Sequence, residues 1–209
     1  MIELPLLFAF VLASAVLILI PGPNVALIAL QSALYGRRSG LLVVAGLTSG
    51  QAVQILLVLA GLSALLSVWG IAFTVLKVLG ALYLLWLAFE AFAIASKTVD
   101  SNEKSIIKPA KNVFWRGLLV ALANPKTMLF HAAFLPQFVS VQYSVFPQLI
   151  LLGSVFVCLA FLLDSLWAIA ISSVRRFMQN PRVQRWLKWG TGFVYLIMGV
   201  LVFTRKASS

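Results

Sequence analysis

One apolar stretch, from Leu4 to Leu34, reads LPLLFAFVLASAVLILIPGPNVALIALQSAL and is interrupted by Pro21-Gly22-Pro23-Asn24. A helix that crosses the lipid core needs about 20 apolar residues, and this stretch is longer. The two prolines lack N–H groups, and their rings push away the carbonyls of Leu17 and Leu19. Because hydrocarbon offers no other partner, the freed backbone groups must be buried in protein or line a cavity. The stretch therefore predicts a broken membrane helix, and paired breaks of this kind are typical of a transport site.

The composition is that of a membrane protein. The 209 residues are 62% hydrophobic and 10% charged, with a mean hydropathy of +1.06, whereas about a quarter of a soluble domain is charged. The net charge of +11 does not indicate nucleic-acid binding, because the basic residues cluster in short loops between apolar runs. The single cysteine, Cys158, excludes an intrachain disulfide or a dithiol relay. No basic region precedes the first apolar run, which we interpret as a membrane span and not as a cleaved signal peptide.

The apolar runs predict an all-α, polytopic membrane protein with six transmembrane helices. The expected spans are residues 4–34 (broken at 21–24), 40–64, 72–95, 113–136, 147–172 and 187–204. We expect a single transmembrane transporter domain, residues 1–209. It comprises a first repeat (1–95), a cytoplasmic loop (97–111) and a second repeat (112–205).

Basic residues predict the orientation in the membrane. Most of the sixteen Lys and Arg residues fall in the loops after spans one, three and five. They are Arg37 and Arg38; Lys97, Lys104, Lys108, Lys111 and Arg116; and Arg175, Arg176, Arg182, Arg185 and Lys188. The opposite side has only Lys77, Arg205 and Lys206. Since basic loops stay in the cytoplasm, both termini are predicted to be periplasmic.

The two halves share a pattern. Each opens with a proline interruption, at Pro21-Gly22-Pro23-Asn24 and at Asn124-Pro125-Lys126. Each closes on a Gly-x-x-Tyr-Leu sequence, beginning at Gly80 and at Gly192. Because three spans are an odd number, the second half must be inverted relative to the first. The sequence thus predicts two inverted three-helix repeats with a broken first helix in each.

The breaks are the candidate substrate-binding site. Asn124-Pro125 is typical of an N-cap followed by the first residue of a half-helix, and Gly22-Pro23 can play the same role. The amides expected to be free are those of Asn24, Val25, Ala26, Lys126, Thr127 and Met128. Such amides suit a carboxylate, and the carbonyls released by proline suit an ammonium group, so together they match an α-amino acid. Two ordinary proline kinks that serve packing are the alternative.

Two charged residues join this candidate site. Asp164 lies in the middle of the fifth span, where an ionised carboxylate costs at least ~2.5 kcal/mol. It is a candidate for proton coupling or for binding a substrate amine, and a structural pair with Lys126 or a polar helix contact is the alternative. Lys126 lies just inside a half-helix N-terminus, where the dipole disfavours a cation. This position predicts a nearby anion, either Asp164 or a substrate carboxylate, unless the side chain extends to the membrane interface.

The remaining polar residues are secondary candidates. Gln51 and Gln54 line a polar path or form interhelical hydrogen bonds. His131 is the only histidine, which excludes a histidine metal cluster, and we favour hydrogen-bonded packing for it over proton relay. Glu90 is expected to reach water or Lys97. We expect no cofactor, no metal and no enzyme activity, since the chain contains no P-loop, zinc motif or nucleophile elbow. Gly46 and Gly50 form a small-x-x-x-small face that favours helix packing.

These motifs resemble the LysE/RhtB amino-acid exporters. The resemblance covers nearly the whole chain in the same order. It rests on Pro21-Gly22-Pro23-Asn24, Gly36-Arg37-Arg38-Ser39-Gly40, Gly80-Ala81-x-Tyr83-Leu84-Leu85-Trp86-Leu87, Gly117-Leu118, Asn124-Pro125-Lys126 and Phe134-Leu135-Pro136-Gln137-Phe138. It implies proton-driven export of amino acids or close derivatives across the bacterial inner membrane. The signature residues carried over are Pro21, Gly22, Pro23, Asn24, Asn124, Pro125 and Lys126, with no family role for Glu90 or His131.

Other functions remain as alternatives. The protein could export another small solute or a metal cation. The scarcity of His, Cys and membrane carboxylates disfavours a metal. A membrane redox protein would need more than Cys158. A non-transporting scaffold leaves the paired breaks unexplained. The expected partners are an amino-acid substrate, protons and membrane lipid. The identity of the substrate, the coupling stoichiometry and the oligomeric state, including a homo-oligomer, stay open.

Overall fold

The computed structural model describes residues 2–63, 67–96, 112–140, 142–174 and 180–204, and within these ranges the protein is helical without strands. In chain order the helices are α1 (Leu4–Leu19), α2 (Pro23–Tyr35), α3 (Arg37–Ser63), α4 (Ser67–Ser96), α5 (Val113–Ala123), α6 (Pro125–Leu129), α7 (Val145–Ser173) and α8 (Pro181–Thr204). Helix α6 continues into a π-helical turn, Phe130–Phe134, and a 3₁₀ turn, Leu135–Phe138. The all-α prediction is confirmed for the described residues.

Several helices are long and apolar enough to cross a membrane. Residues Arg37–Ala60 of α3 and the whole of α7 qualify alone. The pairs α1–α2 and α5–α6 with its extension each qualify as one bent span. Large apolar side chains, among them Phe8, Leu162 and Leu166, point outward on this helical body. A continuous apolar exterior is expected where lipid replaces water as the solvent. The structure therefore supports a multi-pass membrane protein.

Both predicted helix breaks are present. Helix α1 ends at Leu19 and α2 begins at Pro23, with a 55° bend between the helix axes. Gly22 is the N-cap of α2, and its carbonyl accepts the Ala26 amide at 2.9 Å. In the second half the chain bends by 50° at Asn124, directly before Pro125. Each break thus follows from a proline that fits the first turn of a new helix but not the interior of an old one.

Glycines allow α3 and α5 to pack backbone to backbone. A β-carbon on Gly46 would overlap the carbonyl oxygen of Phe114, and one on Gly50 would lie 2.6 Å from the carbonyl oxygen of Leu118. From the other side, Gly117 meets the backbone of α3 in the same way. Small residues permit this close approach in membranes, where it improves van der Waals contact. The packing interpretation of Gly46 and Gly50 is confirmed.

The breaks lie where two apolar clusters meet. One cluster includes Ile28 of α2 and Ala123 of α5, and the other includes Ile18 of α1 and Phe130 of the π-helical turn. Each broken pair therefore sends one half into each cluster. The Gly22–Asn24 part of the first break and Asn124 of the second are buried at the border between the clusters, whereas Leu19, Ile20 and Pro21 are exposed.

Candidate functional site

The two breaks touch each other through their asparagines. The Asn124 side-chain amide donates to Oδ1 of Asn24 at 2.8 Å, and both side chains are buried. Oδ1 of Asn124 also accepts the Lys126 backbone amide at 3.0 Å, which confirms the predicted N-cap. The Asn124 side chain therefore caps the half-helix that follows the break in its own half, and it also hydrogen-bonds to the break in the other half.

Lys126 crosses between the halves in the opposite direction. Its Nζ donates to the carbonyl oxygens of Leu17 at 2.8 Å and of Ile20 at 2.7 Å. Pro21 has no N–H with which to satisfy Leu17, and Ile20 lies just beyond the last residue of α1. The ammonium thus sits at the negative end of the α1 dipole. The carbonyls released by the break bind an ammonium group, as the sequence predicted, and in this state the group belongs to Lys126.

Asp164 faces the same place without a direct bond to Lys126. It is buried, its Oδ2 has no hydrogen-bond partner among the described residues, and it attracts the Lys126 ammonium electrostatically. The nearby anion predicted for Lys126 is therefore present. However, the distance from Lys126 Nζ to the Asp164 carboxylate oxygens exceeds the 4.0 Å limit of an ion pair, and the described residues contain no such pair between them. A structural Asp164–Lys126 pair, the alternative interpretation, is not what holds Asp164 in this state.

A small cavity separates these groups. Its walls are formed by Leu17, Ile18, Asn24, Gln51, Lys126, Thr127 and Asp164. The space open to the centre of a water-sized sphere is about 10 Å³, enough for about one water molecule. An amino acid does not fit. The structure therefore represents a closed state of this cavity, which four candidate residues surround: Asn24, Gln51, Lys126 and Asp164.

The two glutamine candidates separate. Gln51 lines the cavity, and its Oε1 is buried without a partner. Gln54 instead donates to the Ala121 carbonyl at 2.8 Å, the carbonyl that Pro125 leaves without an i+4 donor. The Ala121 carbonyl also accepts the Asn124 backbone amide at 3.0 Å, so Gln54 is its second donor. The polar-path interpretation fits Gln51, and the interhelical hydrogen bond fits Gln54.

His131 is buried away from hydrogen-bond partners. It lies in the π-helical turn, and its ring meets Phe156 edge-on with centroids 4.5 Å apart. Neither ring nitrogen has a partner among the described residues. The expected packing role fits, but the expected hydrogen bonds were wrong, since the neighbours that the structure shows for the ring are the aromatic side chains of Phe130 and Phe156.

Fewer backbone amides are free than the sequence predicted. The Ala26 amide donates to Gly22, the Met128 amide to the Asn124 carbonyl, and the Lys126 amide to the Asn124 side chain. The expectation for these three amides was wrong, because the first turn of each half-helix satisfies its own donors. The amides of Asn24, Val25 and Thr127 make no hydrogen bond within the described part of the chain.

Sequence reasoning missed an ion pair on another face. Arg116 of α5 donates to both oxygens of Glu90 of α4, at 2.6 and 3.3 Å, and both side chains are partly exposed. Glu90 was expected to reach water or Lys97, and Lys97 lies outside the described residues. Arg116 had been interpreted only as a loop charge. The two residues are 26 apart in the chain, so no local spacing could have indicated the pair.

Known proteins identify the family. A family model described as LysE type translocator matches residues 15–206. This chain belongs to the LysE type translocator family. The resemblance seen in the sequence motifs is therefore confirmed, and with it the prediction of a transporter and not an enzyme.

Relatives of this LysE type translocator include named efflux proteins. A homoserine/homoserine lactone efflux protein of Salmonella typhi is 30% identical over 95% of this chain and 96% of its own length. A leucine efflux protein of Klebsiella pneumoniae subsp. pneumoniae is 32% identical over 64% of this chain and 63% of its own. An uncharacterized membrane protein of Bacillus subtilis is 28% identical over 93% and 96%. No solved structure matches the chain significantly.

Proposed function

We propose that this LysE type translocator exports amino acids or close derivatives across the bacterial inner membrane. The observation that carries the proposal is the contact of the two breaks. There the α1 carbonyls of Leu17 and Ile20 hold an ammonium group, and the amides of Asn24 and Val25 are free at the start of α2. These groups complement the two charges of an α-amino acid. The names of the efflux relatives support the same class of substrate.

The substrate site consists of the break residues and the charges beside them. Its members are Pro21, Gly22, Pro23, Asn24, Asn124, Pro125, Lys126 and Asp164. Gln51 contributes a free acceptor to the same cavity, whereas Gln54 and His131 support the site from outside it. Opening of the cavity on one side and then the other moves the substrate across.

Export is coupled to protons at Asp164. The carboxyl lies mid-helix in α7 with Oδ2 unpartnered, and Lys126 is the charged group that acts on it. Of the elements packed against α7, α1 and the 3₁₀ turn contain no titratable side chain, and Tyr35 ends α2 while Arg37 and Arg38 begin α3. The π-helical turn contributes His131, whose ring meets Phe156, eight residues before Asp164 in α7. A lone carboxylate in lipid is costly, so Asp164 takes a proton when no amine or ammonium is near. Proton and substrate then compete for one group, which is the minimal requirement of an antiporter.

The contacts between helices support six spans in two inverted repeats within one domain, residues 1–209. The pairing of α3 with α5 corresponds, when the halves are exchanged, to that of α7 with α1 and α2. Taken as whole spans, the pairing of α1–α2 with α8 corresponds to that of α5–α6 with α4, although α2 makes the first contact and α5 the second, and the pairs α3–α7 and α4–α8 exchange with themselves. A two-fold relation between the halves produces this pattern, and three spans in each half place its axis in the membrane plane.

The proposed topology has both termini in the periplasm. Its charge basis includes Arg175, Arg176, Arg205, Lys206 and the loop Lys97–Lys111, which lie outside the described residues. Reporter fusions after Ser209 and inside the loop should report opposite sides of the membrane. The same side for both would refute the six-span arrangement.

Efflux measurements test the function. Cells that overproduce the protein are loaded with radiolabelled L-homoserine or L-leucine, and loss of label is followed after dilution. We expect faster loss than from cells with an empty vector, abolished by a protonophore. A screen of toxic amino-acid analogues for growth resistance widens the search. Loss of label at the vector rate, with no resistance to any analogue, would reject amino-acid export.

A further inference from the structure

We infer that Lys126 is a tethered competitor of the substrate, whose ammonium occupies the substrate's own ammonium site in the closed state. The inference rests on the proposed function and specifies its amine subsite. That subsite consists of the carbonyl oxygens of Leu17 and Ile20. A primary ammonium with two available N–H donors fits it.

The subsite is defined by geometry and by unmet acceptors. Nζ of Lys126 lies 2.8 Å from the Leu17 oxygen and 2.7 Å from the Ile20 oxygen. Pro21 cannot donate to Leu17, and the Asn24 amide makes no bond to Ile20. The Lys126–Leu17 hydrogen bond is partly buried and the Lys126–Ile20 bond is exposed on the helical body. Since a backbone carbonyl that faces hydrocarbon without a donor is costly, this pair gains from an ammonium wherever lipid or protein keeps water away. Lys126 supplies it when no substrate is present.

Gly22 borders the ammonium. A β-carbon on this residue would lie 3.4 Å from Nζ and 3.5 Å from Cε of Lys126, in van der Waals contact. The surface beside the ammonium is thus bare backbone at Gly22. A larger side chain there would press on whichever ammonium occupies the carbonyl pair.

The displaced Lys126 has a second acceptor within the same cavity. Asp164 lines that cavity, its Oδ2 is buried without a partner, and it already attracts the lysine charge. When the substrate's ammonium takes the carbonyls, the Lys126 ammonium moves to Asp164. Both buried charges are then paired, which offsets their desolvation. Substrate binding therefore replaces the contact of Lys126 with the two carbonyls by two others: the substrate ammonium with the carbonyls, and Lys126 with Asp164. Release of the substrate restores the original contact.

Binding of the substrate carboxylate by Lys126 and competition of Lys126 for the amine subsite predict opposite effects of a Lys126 substitution on substrate affinity. If Lys126 bound the substrate's carboxylate, its removal would weaken binding. If Lys126 competes for the amine subsite, its removal strengthens binding. The apparent affinity decreases in proportion as the fraction of protein that is competent to bind decreases. A competitor in place nine-tenths of the time therefore raises the half-saturating concentration about tenfold.

The first test measures L-homoserine efflux from proteoliposomes. Lys126→Met removes the ammonium, Lys126→Gln retains one donor for a carbonyl and protects the fold, and Lys188→Met is the matched control. We expect both Lys126 variants to lower the half-saturating homoserine concentration several-fold and to lower the maximal rate, because nothing re-closes the emptied site. An unchanged or raised half-saturating concentration in both Lys126 variants would overturn the inference.

The second test does not depend on transport. The thermal midpoint of the purified protein in detergent is measured with ethylammonium chloride, and with tetramethylammonium chloride as a control cation that has no N–H donor. Ethylammonium should stabilise Lys126→Met, whose subsite is empty, and to a smaller extent Lys126→Gln, whose amide fills at most one of the two carbonyls, but not the wild type or Lys188→Met. Equal response of all four proteins would overturn the inference. Stabilisation of the Lys126 variants without any homoserine efflux would retain the amine subsite and reject only the proposed export.

Discussion

Asn124 donates its side-chain amide to the side-chain oxygen of Asn24 over 2.8 Å, although 100 residues separate them in the chain. The same Asn124 side chain caps α6 through its oxygen. One residue therefore links the local geometry of one break to the position of the other. A change in the angle of either broken helix must disturb both hydrogen bonds.

Asn124→Ala should destabilise the protein and stop export. The variant loses an N-cap, worth about 1 kcal/mol, and leaves Oδ1 of Asn24 buried without a donor, which costs a further ~1–3 kcal/mol. The thermal midpoint in detergent and homoserine efflux are the measurements. Asn180→Ala is the control, because Asn180 accepts the Arg182 amide in the same way at an exposed helix start. Equal effects of the two substitutions would show that Asn124 acts only as a cap.

Replacing both Pro21 and Pro23 by alanine should preserve membrane insertion and abolish efflux. The backbone at position 21 then gains an N–H that can donate to the Leu17 carbonyl, the acceptor that Lys126 holds in the wild type. Helix α1 would continue through the break, and the ammonium subsite would close. Membrane levels by immunoblot and efflux rates test this. Pro5→Ala, in the exposed first turn of α1, is the control and should export normally. A double variant that exports at the wild-type rate would make these prolines packing kinks.

Gly46→Ala should weaken the α3–α5 contact, whereas Gly190→Ala should not harm the protein. The new methyl group at Gly46 would overlap backbone of Phe114, which cannot rotate away, and such overpacking costs typically ~1–3 kcal/mol. A β-carbon at Gly190 meets nothing within 4 Å, and alanine in a helix is favoured over glycine by roughly 0.5–1 kcal/mol. The thermal midpoints of the two variants should therefore shift in opposite directions. A wild-type midpoint for Gly46→Ala would show that α3 and α5 separate freely.

The breaks could be predicted from the sequence because their cause is local. Pro21, Pro23 and Pro125 each lack a donor, and that loss ends a helix wherever it occurs in a long apolar run. The N-cap role of Asn124 follows from its place before Pro125 and is confirmed. Local chemistry also indicated which carbonyls would be released.

The groups that fill the released acceptors could not be predicted. Lys126 reaches Leu17, and Gln54 reaches Ala121, only because the helices are packed as they are. The Glu90–Arg116 pair has the same origin. His131 was misjudged for a related reason, since its surroundings come from residues distant in the chain. Sequence reasoning identifies unmet hydrogen-bonding groups, but tertiary packing decides which partner each one receives.

Asp164→Asn tests proton coupling. Asparagine keeps the shape and hydrogen-bonding capacity of the side chain but cannot bind and release a proton. Since Asp164 is the acid placed well inside a span and Lys126 does not pair with it in the closed state, we expect normal membrane levels. We also expect efflux that is lost, or that no longer responds to the external pH. Proteoliposomes with an imposed pH gradient measure this response. Glu3→Gln is the control, because Glu3 accepts a hydrogen bond from Ser140 at the start of α1 and lies outside the site. An Asp164→Asn variant that exports at the wild-type rate with the same pH dependence would make Asp164 structural and place the coupling elsewhere.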